Sequence, residues 1–77
     1  MDRGFNSLRS TLGNNVRRFR RERNLTQESL AFEAEIDRTY VSQIERGVIN
    51  PSLLVLHKVA GVLGTDVPTL LAKPART

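Results

Sequence analysis

The sequence lacks several residue types that whole classes of function require. Its 77 residues include no cysteine, no tryptophan and a single histidine. Without cysteine there can be no disulfide framework, thiolate zinc site or thiol nucleophile, and one histidine cannot build a histidine-rich metal site. No apolar run approaches the roughly 20 residues that span a bilayer, and the start of the sequence has no signal-peptide apolar region. We therefore expect a cytoplasmic protein with no membrane association, metal or cofactor.

The parts from which catalytic sites are built are also missing. The sequence offers no nucleophile beside a base, no glycine-rich phosphate loop and no paired carboxylates in a cleft. It offers no recognisable pocket for a small-molecule effector either. A chain of 77 residues has room for one small domain. We expect a single non-enzymatic domain over residues 1–77, with short flexible tails at about 1–5 and 73–77.

The charge distribution is more informative than the net charge of +4. Residues 1–23 carry seven arginines against two acidic residues, whereas residues 24–46 carry two arginines against five acidic residues. A uniformly basic chain would favour indiscriminate binding to polyanions. An acidic middle segment that contains only Arg38 and Arg46 as basic residues indicates a more specific use of these two side chains.

Apolar residues recur at helical spacing in five segments, the first from about Ser7 to Asn24. Polar residues that can cap a helix precede the later four segments, and residues that tolerate a left-handed conformation end three of the five. The caps are Thr26, Asp37, Ser52 and Asp66, and the ending residues are Asn24, Gly47 and Gly64. Two short capped helices over about 26–46 have the spacing of a helix-turn-helix. The pattern predicts an all-α protein, a compact five-helix bundle.

The outward face of the third segment carries the side chains that recognise DNA bases. In this third segment, Val41 and Ile44 point to the core. The fourth segment likewise has a stripe of core residues, which includes Leu53. The remaining positions of the third segment hold guanidinium, hydroxyl and amide groups: Arg38, Thr39, Ser42, Gln43 and Arg46. In a major groove, Arg pairs with guanine, Gln with adenine, and Ser and Thr with either. An ordinary polar surface helix is the alternative, which the flanking helix-turn-helix pattern disfavours.

Three motifs carry a family resemblance. They are Leu25-Thr26-Gln27-Glu28-Ser29-Leu30-Ala31, Ile36-Asp37-Arg38-Thr39-Tyr40-Val41-Ser42-Gln43-Ile44-Glu45-Arg46-Gly47 and Asn50-Pro51-Ser52-Leu53. The chain resembles the lambda-repressor-like (Xre-type) helix-turn-helix family from about Leu12 to Leu71. Within that family it is most similar to the controller proteins of restriction–modification systems. One departure is Glu35, which occupies a turn position commonly filled by glycine, where a positive φ costs about 1 kcal/mol.

The resemblance implies a role for each polar group. The side chains expected to contact bases are Arg38, Thr39, Ser42 and Gln43. Those expected to contact the DNA backbone are Thr26, Gln27, Tyr40, Arg46 and Asn50. A matching family pair, Arg20 and Glu45, is expected to form a structural ion pair that fixes the recognition helix to the bundle.

The fourth segment has more apolar residues than its core stripe uses. Leu54, Val55 and Val62 lie outside the stripe, so they either extend the core or form a two-fold interface. The resemblance favours a homodimer through this region, with Val67 and Leu71 nearby. Phe32 does not fit the inward side of its helix, and the sequence leaves it either covering the rim of the core or exposed.

These observations predict a sequence-specific regulator of transcription that binds double-stranded DNA at a pseudo-palindromic operator as a homodimer. Three alternatives remain open. The first is an antitoxin or another protein-interaction module with secondary DNA binding, and the second is a phage-type repressor. The third is non-specific binding of polyanions through the arginine-rich first segment.

Overall fold

The computed structural model describes residues 2–74, which form five helices that we number α1 to α5 in chain order. Their bounds are α1 Arg3–Glu22, α2 Gln27–Ala34, α3 Arg38–Arg46, α4 Leu53–Leu63 and α5 Val67–Leu71. The prediction of an all-α five-helix bundle that contains a helix-turn-helix is therefore confirmed.

Local sequence explains where the helices begin and end. The side-chain oxygens of all four predicted caps accept a hydrogen bond from a backbone N–H two or three residues later, at 2.8–3.1 Å. These bonds satisfy donors that have no partner within the helix. Gly47 and Gly64 follow α3 and α4 with φ of 70°, a left-handed conformation that glycine adopts without a steric penalty.

The first helix starts earlier than the sequence pattern predicted. Asp2 caps it, because its Oδ1 accepts a hydrogen bond of 3.1 Å from the Phe5 N–H. The predicted start at about Ser7, and with it a tail over residues 1–5, is wrong for residues 3–5, which are helical. Of the predicted C-terminal tail, residues 73 and 74 follow α5 without regular structure, and residues 75–77 lie outside the described residues.

All five helices contribute to one apolar core. Its buried members are Leu12, Val16, Leu30, Ala31, Ala34, Val41, Ile44, Leu56, Val59, Ala60, Leu63 and Leu70. Leu53, expected in the core stripe of α4, is instead 76% exposed. It is the first residue of α4 and lies at the rim of the bundle, where it borders a groove rather than the interior.

A buried amide holds the last helix in place. The five residues of α5 are too few to form a stable helix alone. Asn15 of α1 is 1% exposed, and its Nδ2 donates to the carbonyl oxygens of Leu70 and Ala72, both at 2.8 Å. These two bonds satisfy carbonyls at the end of α5 and join it to α1.

A glycine lets α1 approach the C-terminal end of α3. A Cβ at Gly13 would stand 2.6 Å from the carbonyl oxygens of both Ile44 and Glu45, closer than carbon and oxygen can pack. Gly13, Arg17 and Arg20 are spaced by four and three residues, so they share the side of α1 that contacts α3. The position of α3 therefore depends on the absence of a side chain at residue 13.

We predict that Gly13→Ala lowers the free energy of unfolding by about 1–3 kcal/mol, because the added methyl displaces α3. Gly61→Ala is the matched control: Gly61 also lies within a helix, but its Cβ would meet nothing within 4 Å. Since alanine is the better helix former, Gly61→Ala should raise stability by about 0.5–1 kcal/mol. Urea unfolding measures both changes, and equal effects would disprove the close approach.

Candidate nucleic-acid interface

A short turn sets the angle between α2 and α3. After Ala34 the chain passes through Glu35, whose φ of 59° is left-handed, and Asp37 then caps α3. The Ile36 N–H donates to the Ala31 carbonyl at 2.9 Å, and the Ile36 side chain packs against the core. Glu35 thus adopts the conformation for which glycine is commoner, at a cost of about 1 kcal/mol.

The outward face of α3 is polar and has its hydrogen-bonding groups available. Arg38, Thr39 and Arg46 are exposed, and Ser42 and Gln43 are half-buried. Within residues 2–74 none of these side chains makes a hydrogen bond or an ion pair. The structure therefore places the four expected base-contacting residues on one helix face with their donors and acceptors free.

Two of the residues expected to contact the DNA backbone also have structural roles. Thr26 is exposed and caps α2, and the half-buried Gln27 donates from Nε2 to Glu45 Oε1 at 3.1 Å. Tyr40 is half-buried and packs against the core. Arg46 and Asn50 are exposed, at the end of α3 and in the following loop.

A buried carboxylate joins the first three helices. Glu45 of α3 has a side chain only 1% exposed, and both of its oxygens bond to Arg20 of α1, at 2.6 Å from Nε and 3.0 Å from Nη2. The same carboxylate accepts the Gln27 bond from α2. Arg20 also donates from Nη1 to the Leu25 carbonyl at 2.9 Å. The structure thus brings Arg20 and Glu45 together, as a two-bond pair with further partners on both sides.

Glu45 is negatively charged in this environment. Burial alone would raise the pKa of Glu45, but hydrogen bonds from Arg20 and Gln27, together with the charges of Arg20 and Arg17, outweigh burial and lower that pKa below its ordinary value. The Glu45 hydrogen bond in turn raises the pKa of Arg20. The pair is therefore fully ionised at neutral pH.

Arg17 extends this network to the C-terminal end of α3. Its Nη2 donates to the Glu45 carbonyl oxygen at 3.2 Å, and its Nε lies 3.5 Å from Glu45 Oε1. The neighbouring carbonyls of Gln43 and Ile44 accept bonds from the N–H groups of Val48 and Gly47. These contacts provide partners for carbonyls that have none within the helix, and they place positive charge where the helix dipole favours it.

The residues expected at a dimer interface differ in exposure. Leu54 is 63% exposed, whereas Val55, Val62, Val67 and Leu71 are half-buried and pack against the core of their own chain. The apolar surface of α4 that remains uncovered is therefore concentrated at its first two residues, Leu53 and Leu54.

The structure also bears on membrane insertion and on metal binding. None of the helices within residues 2–74 combines the length and apolar character needed to cross a membrane. In that part of the chain, no group of three His, Asp or Glu side chains is arranged to hold a metal ion.

The fold and this site define a DNA-binding helix-turn-helix domain, since a locked helix presents an unpaired polar face next to a second capped helix. The Helix-turn-helix family model matches residues 16–70. The chain therefore belongs to the helix-turn-helix family of DNA-binding transcriptional regulators.

Two proteins with similar sequences are regulators of different kinds. The control protein C.BamHI of Bacillus amyloliquefaciens is 43% identical over 67 residues, which cover 86% of this chain and 83% of that protein. The immunity repressor of Bacillus phage phi105 is 43% identical over 63 residues, or 82% of this chain. The chain spans only 44% of the length of that repressor.

Three solved structures have the same fold. The hypothetical transcription factor NHTF from Neisseria superposes with a TM-score of 0.83 at 42% identity, over 87% of this chain and 77% of that one. The restriction–modification controller protein C.AhdI from Aeromonas hydrophila gives 0.77 at 37% identity, over 80% and 94% of the two chains. The biofilm regulator SinR in complex with DNA gives 0.76 at 37% identity, over 79% and 98%.

Two residues that help to hold α3 in place, Arg17 and Gln27, were not expected from the sequence to contact Glu45. The spacing of Gly13, Arg17 and Arg20 was the available signal, because it places all three on one side of α1.

We predict that Arg20→Ala and Glu45→Ala each lower the free energy of unfolding by about 3 kcal/mol, because each removes the main partner of a largely buried charge. The double variant should lose less than the sum by about 1–3 kcal/mol. Arg18 and Glu22 form the matched control, an exposed pair at 3.6 Å on α1. Its coupling should stay below about 0.5 kcal/mol. Urea unfolding of both cycles tests this, and strictly additive losses for Arg20 and Glu45 would contradict it.

Proposed function

We propose that this chain is a sequence-specific regulator of transcription that binds double-stranded DNA as a homodimer, and more narrowly a controller protein of a restriction–modification system. The observation that carries the proposal is the outward face of α3. It presents unpaired guanidinium, hydroxyl and amide groups, with no carboxylate, on a helix held by Glu45. The proposed site of action is the cytoplasm, and no small-molecule effector is part of the proposal.

The relatives support both levels of this proposal. SinR has been solved in complex with DNA, and C.BamHI and C.AhdI are named as a control protein and a restriction–modification controller protein. Identities of 37–43% over most of this chain support a shared mode of DNA binding. The match to C.AhdI covers 80% of this chain and 94% of that protein.

We assign base contacts to the first turns of α3 and backbone contacts to the groups around it. In helix-turn-helix complexes the N-terminal residues of the second helix contact base edges in the major groove, while the first helix crosses the backbone. Arg38 and Thr39 are exposed in the first turn of α3, and Ser42 and Gln43 follow one turn later.

The phosphate contacts come from the ends of α2 and α3. Thr26 and Gln27 lie at the N-terminal end of α2, where free backbone N–H groups favour an anion. Tyr40, Arg46 and Asn50 complete the set. Because the Gln27 Nε2 group carries two hydrogens, it can keep its bond to Glu45 and still donate one to a phosphate.

We predict that Arg38→Ala lowers affinity for the operator by about 1–3 kcal/mol and relaxes preference at one base position in each half-site. Arg46→Ala serves as the comparison, because a phosphate contact should weaken binding equally on all sequences and reduce its salt dependence. Selection of bound sites from a random DNA pool, followed by titrations at several salt concentrations, measures both. Equal weakening by Arg38→Ala on every sequence would show that Arg38 contacts only phosphate.

The homodimer is proposed on the apolar surface of α4 and α5. Leu54 is exposed, and the half-buried Val55, Val62, Val67 and Leu71 extend this surface. A two-fold axis here would place two recognition helices about 34 Å apart, in successive major grooves. The operator would then be a pseudo-palindrome with half-site centres about 10 base pairs apart.

We predict that Leu54→Asp yields a folded monomer whose operator affinity falls steeply, since each subunit alone has a small DNA contact and loses the high effective concentration of its partner. Leu54 is chosen because the more buried Val55 and Val62 support the fold of the monomer itself. Phe32→Ala removes another exposed apolar side chain, from α2, and should leave the dimer intact. Mass in dilute solution and operator binding are measured together. A Leu54→Asp protein that stays dimeric would place the interface elsewhere.

A further inference from the structure

Phe32 is the exception among the aromatic residues of this chain. The sequence has three phenylalanines and one tyrosine. Phe5, Phe19 and Tyr40 are half-buried, but Phe32 is 83% exposed. The inner side of α2 is already occupied by Leu30, Ala31 and Ala34, so Phe32 contributes nothing to the core. The DNA-binding face of α3 does not use it either.

Carboxylates surround this ring. Glu28 precedes Phe32 by one turn, and Glu33 follows it directly; both are exposed, and neither forms an ion pair within residues 2–74. We call Glu28, Ser29, Phe32 and Glu33 the Phe32 surface. Phosphates would repel these carboxylates, which disfavours close contact between this surface and DNA. An apolar ring among negative charges fits an apolar recess with a basic rim.

The same molecule presents such a recess on another side. An apolar groove of about 240 Å³ lies between the N-terminal part of α1, the start of α4 and the end of α5. Its lining includes Phe5, Leu8, Leu53, Leu56, Leu71 and Arg9. A cavity of about 150 Å³ can hold a benzene molecule, so this volume suffices for a phenyl ring.

Arg9 gives the groove an unsatisfied positive group. Its Nη2 donates to Asn6 Oδ1 at 2.7 Å, and its guanidinium lies 5.0 Å from the centre of the Phe5 ring. Its Nε is buried and has no hydrogen-bond partner among the described residues. A carboxylate on a docking partner would pair with the terminal nitrogens of this guanidinium, because the buried Nε is out of its reach.

We propose that the Phe32 surface of one copy docks into the apolar groove of a second copy, with the Phe32 ring in the recess and a carboxylate of Glu28 or Glu33 facing Arg9. The Phe32 surface is assigned to this groove from charge and shape, because every copy carries both an acidic aromatic projection and a basic apolar recess. Because the two surfaces differ, the contact is head-to-tail and joins successive molecules. The groove shares Leu71 with the surface proposed for the two-fold interface, whereas Leu54, the exposed residue at the centre of that interface, does not line the groove.

Such a contact would be small and weak in solution, since one aromatic anchor and one ion pair fall below the size of a stable interface. Its effect would be greatest on DNA that carries neighbouring operators. There, molecules already bound side by side need only a small contact energy to bind cooperatively. High salt should weaken it, because its ion pair lies at the rim of the groove.

The test is sedimentation of the purified protein from about 10 μM to about 1 mM, a range that detects weak association. The average mass of the wild-type protein should exceed the mass of its smallest species and should continue to rise with concentration. Phe32→Ala removes the projection, and Leu8→Glu places a negative charge in the groove. Each variant should weaken the association at least tenfold. Val48→Ala is the matched control, because Val48 is 53% exposed but belongs to neither surface.

A mixing experiment separates this geometry from the alternatives. Phe32→Ala protein keeps an intact groove and Leu8→Glu protein keeps an intact projection, so a mixture of the two should associate although neither does alone. Should Leu8→Glu prove unfolded by circular dichroism, Arg9→Glu replaces it, and adding Glu28→Arg and Glu33→Arg to Arg9→Glu should restore association.

Four results would overturn the proposal. The first two are wild-type protein that keeps the mass of its smallest species up to about 1 mM, and association that Phe32→Ala leaves unchanged. The third is a mixture of the two variants that fails to associate. The fourth is a Leu8→Glu protein that no longer forms the two-fold dimer. The last result would mean that the two-fold partner fills the groove. None of them concerns operator recognition by Arg38, so failure here leaves the proposed function standing.

Discussion

The recognition helix is held by one buried carboxylate, and the rest of the DNA-binding architecture depends on this constraint. α3 has nine residues, too few for a helix that is stable alone. Its outward face must also remain polar and unpaired, so that face adds nothing to stability. The anchoring must therefore come from the inner side, where Val41 and Ile44 fill the core and Glu45 receives bonds from two other helices. Because these bonds fix both the depth and the rotation of α3, they also fix where its outward side chains point.

A buried ion pair is a costly way to hold a helix, and the structure indicates why an apolar contact would not serve equally well. Removing Arg20 and Glu45 from water carries a desolvation penalty that well-packed aliphatic side chains would avoid. In return, the carboxylate gives directional contacts: two bonds from Arg20, one from Gln27 and the proximity of Arg17. Apolar packing permits small rotations, whereas these bonds define one orientation. DNA readout needs a defined orientation, since base contacts depend on the placement of hydrogen-bonding groups.

Most of the fold could be predicted because its determinants are local. The caps Thr26 and Asp37 act on their own helices, and the three-residue turn between α2 and α3 follows from them. What escaped prediction depends on contacts between distant segments or at the ends of helices. The spacing of Gly13, Arg17 and Arg20 marks one side of α1, but it does not indicate that α3 is the helix that comes within 2.6 Å of the missing Cβ of Gly13. The exposure of Leu53 likewise depends on what lies opposite it, and periodicity alone carries no such information. The pairing of Arg20 with Glu45, 25 residues apart, was expected from the family resemblance rather than from spacing.

The surfaces left uncovered are a consequence of size. A chain of 77 residues has too little interior to bury all of its apolar side chains once five helices enclose one core. Phe32 remains exposed on the outer side of α2, and Leu53 and Leu54 remain exposed at the start of α4. A dimer interface at Leu54 would leave Phe32 uncovered. The proposed contacts between copies would cover the apolar side chains that one core of this size leaves exposed.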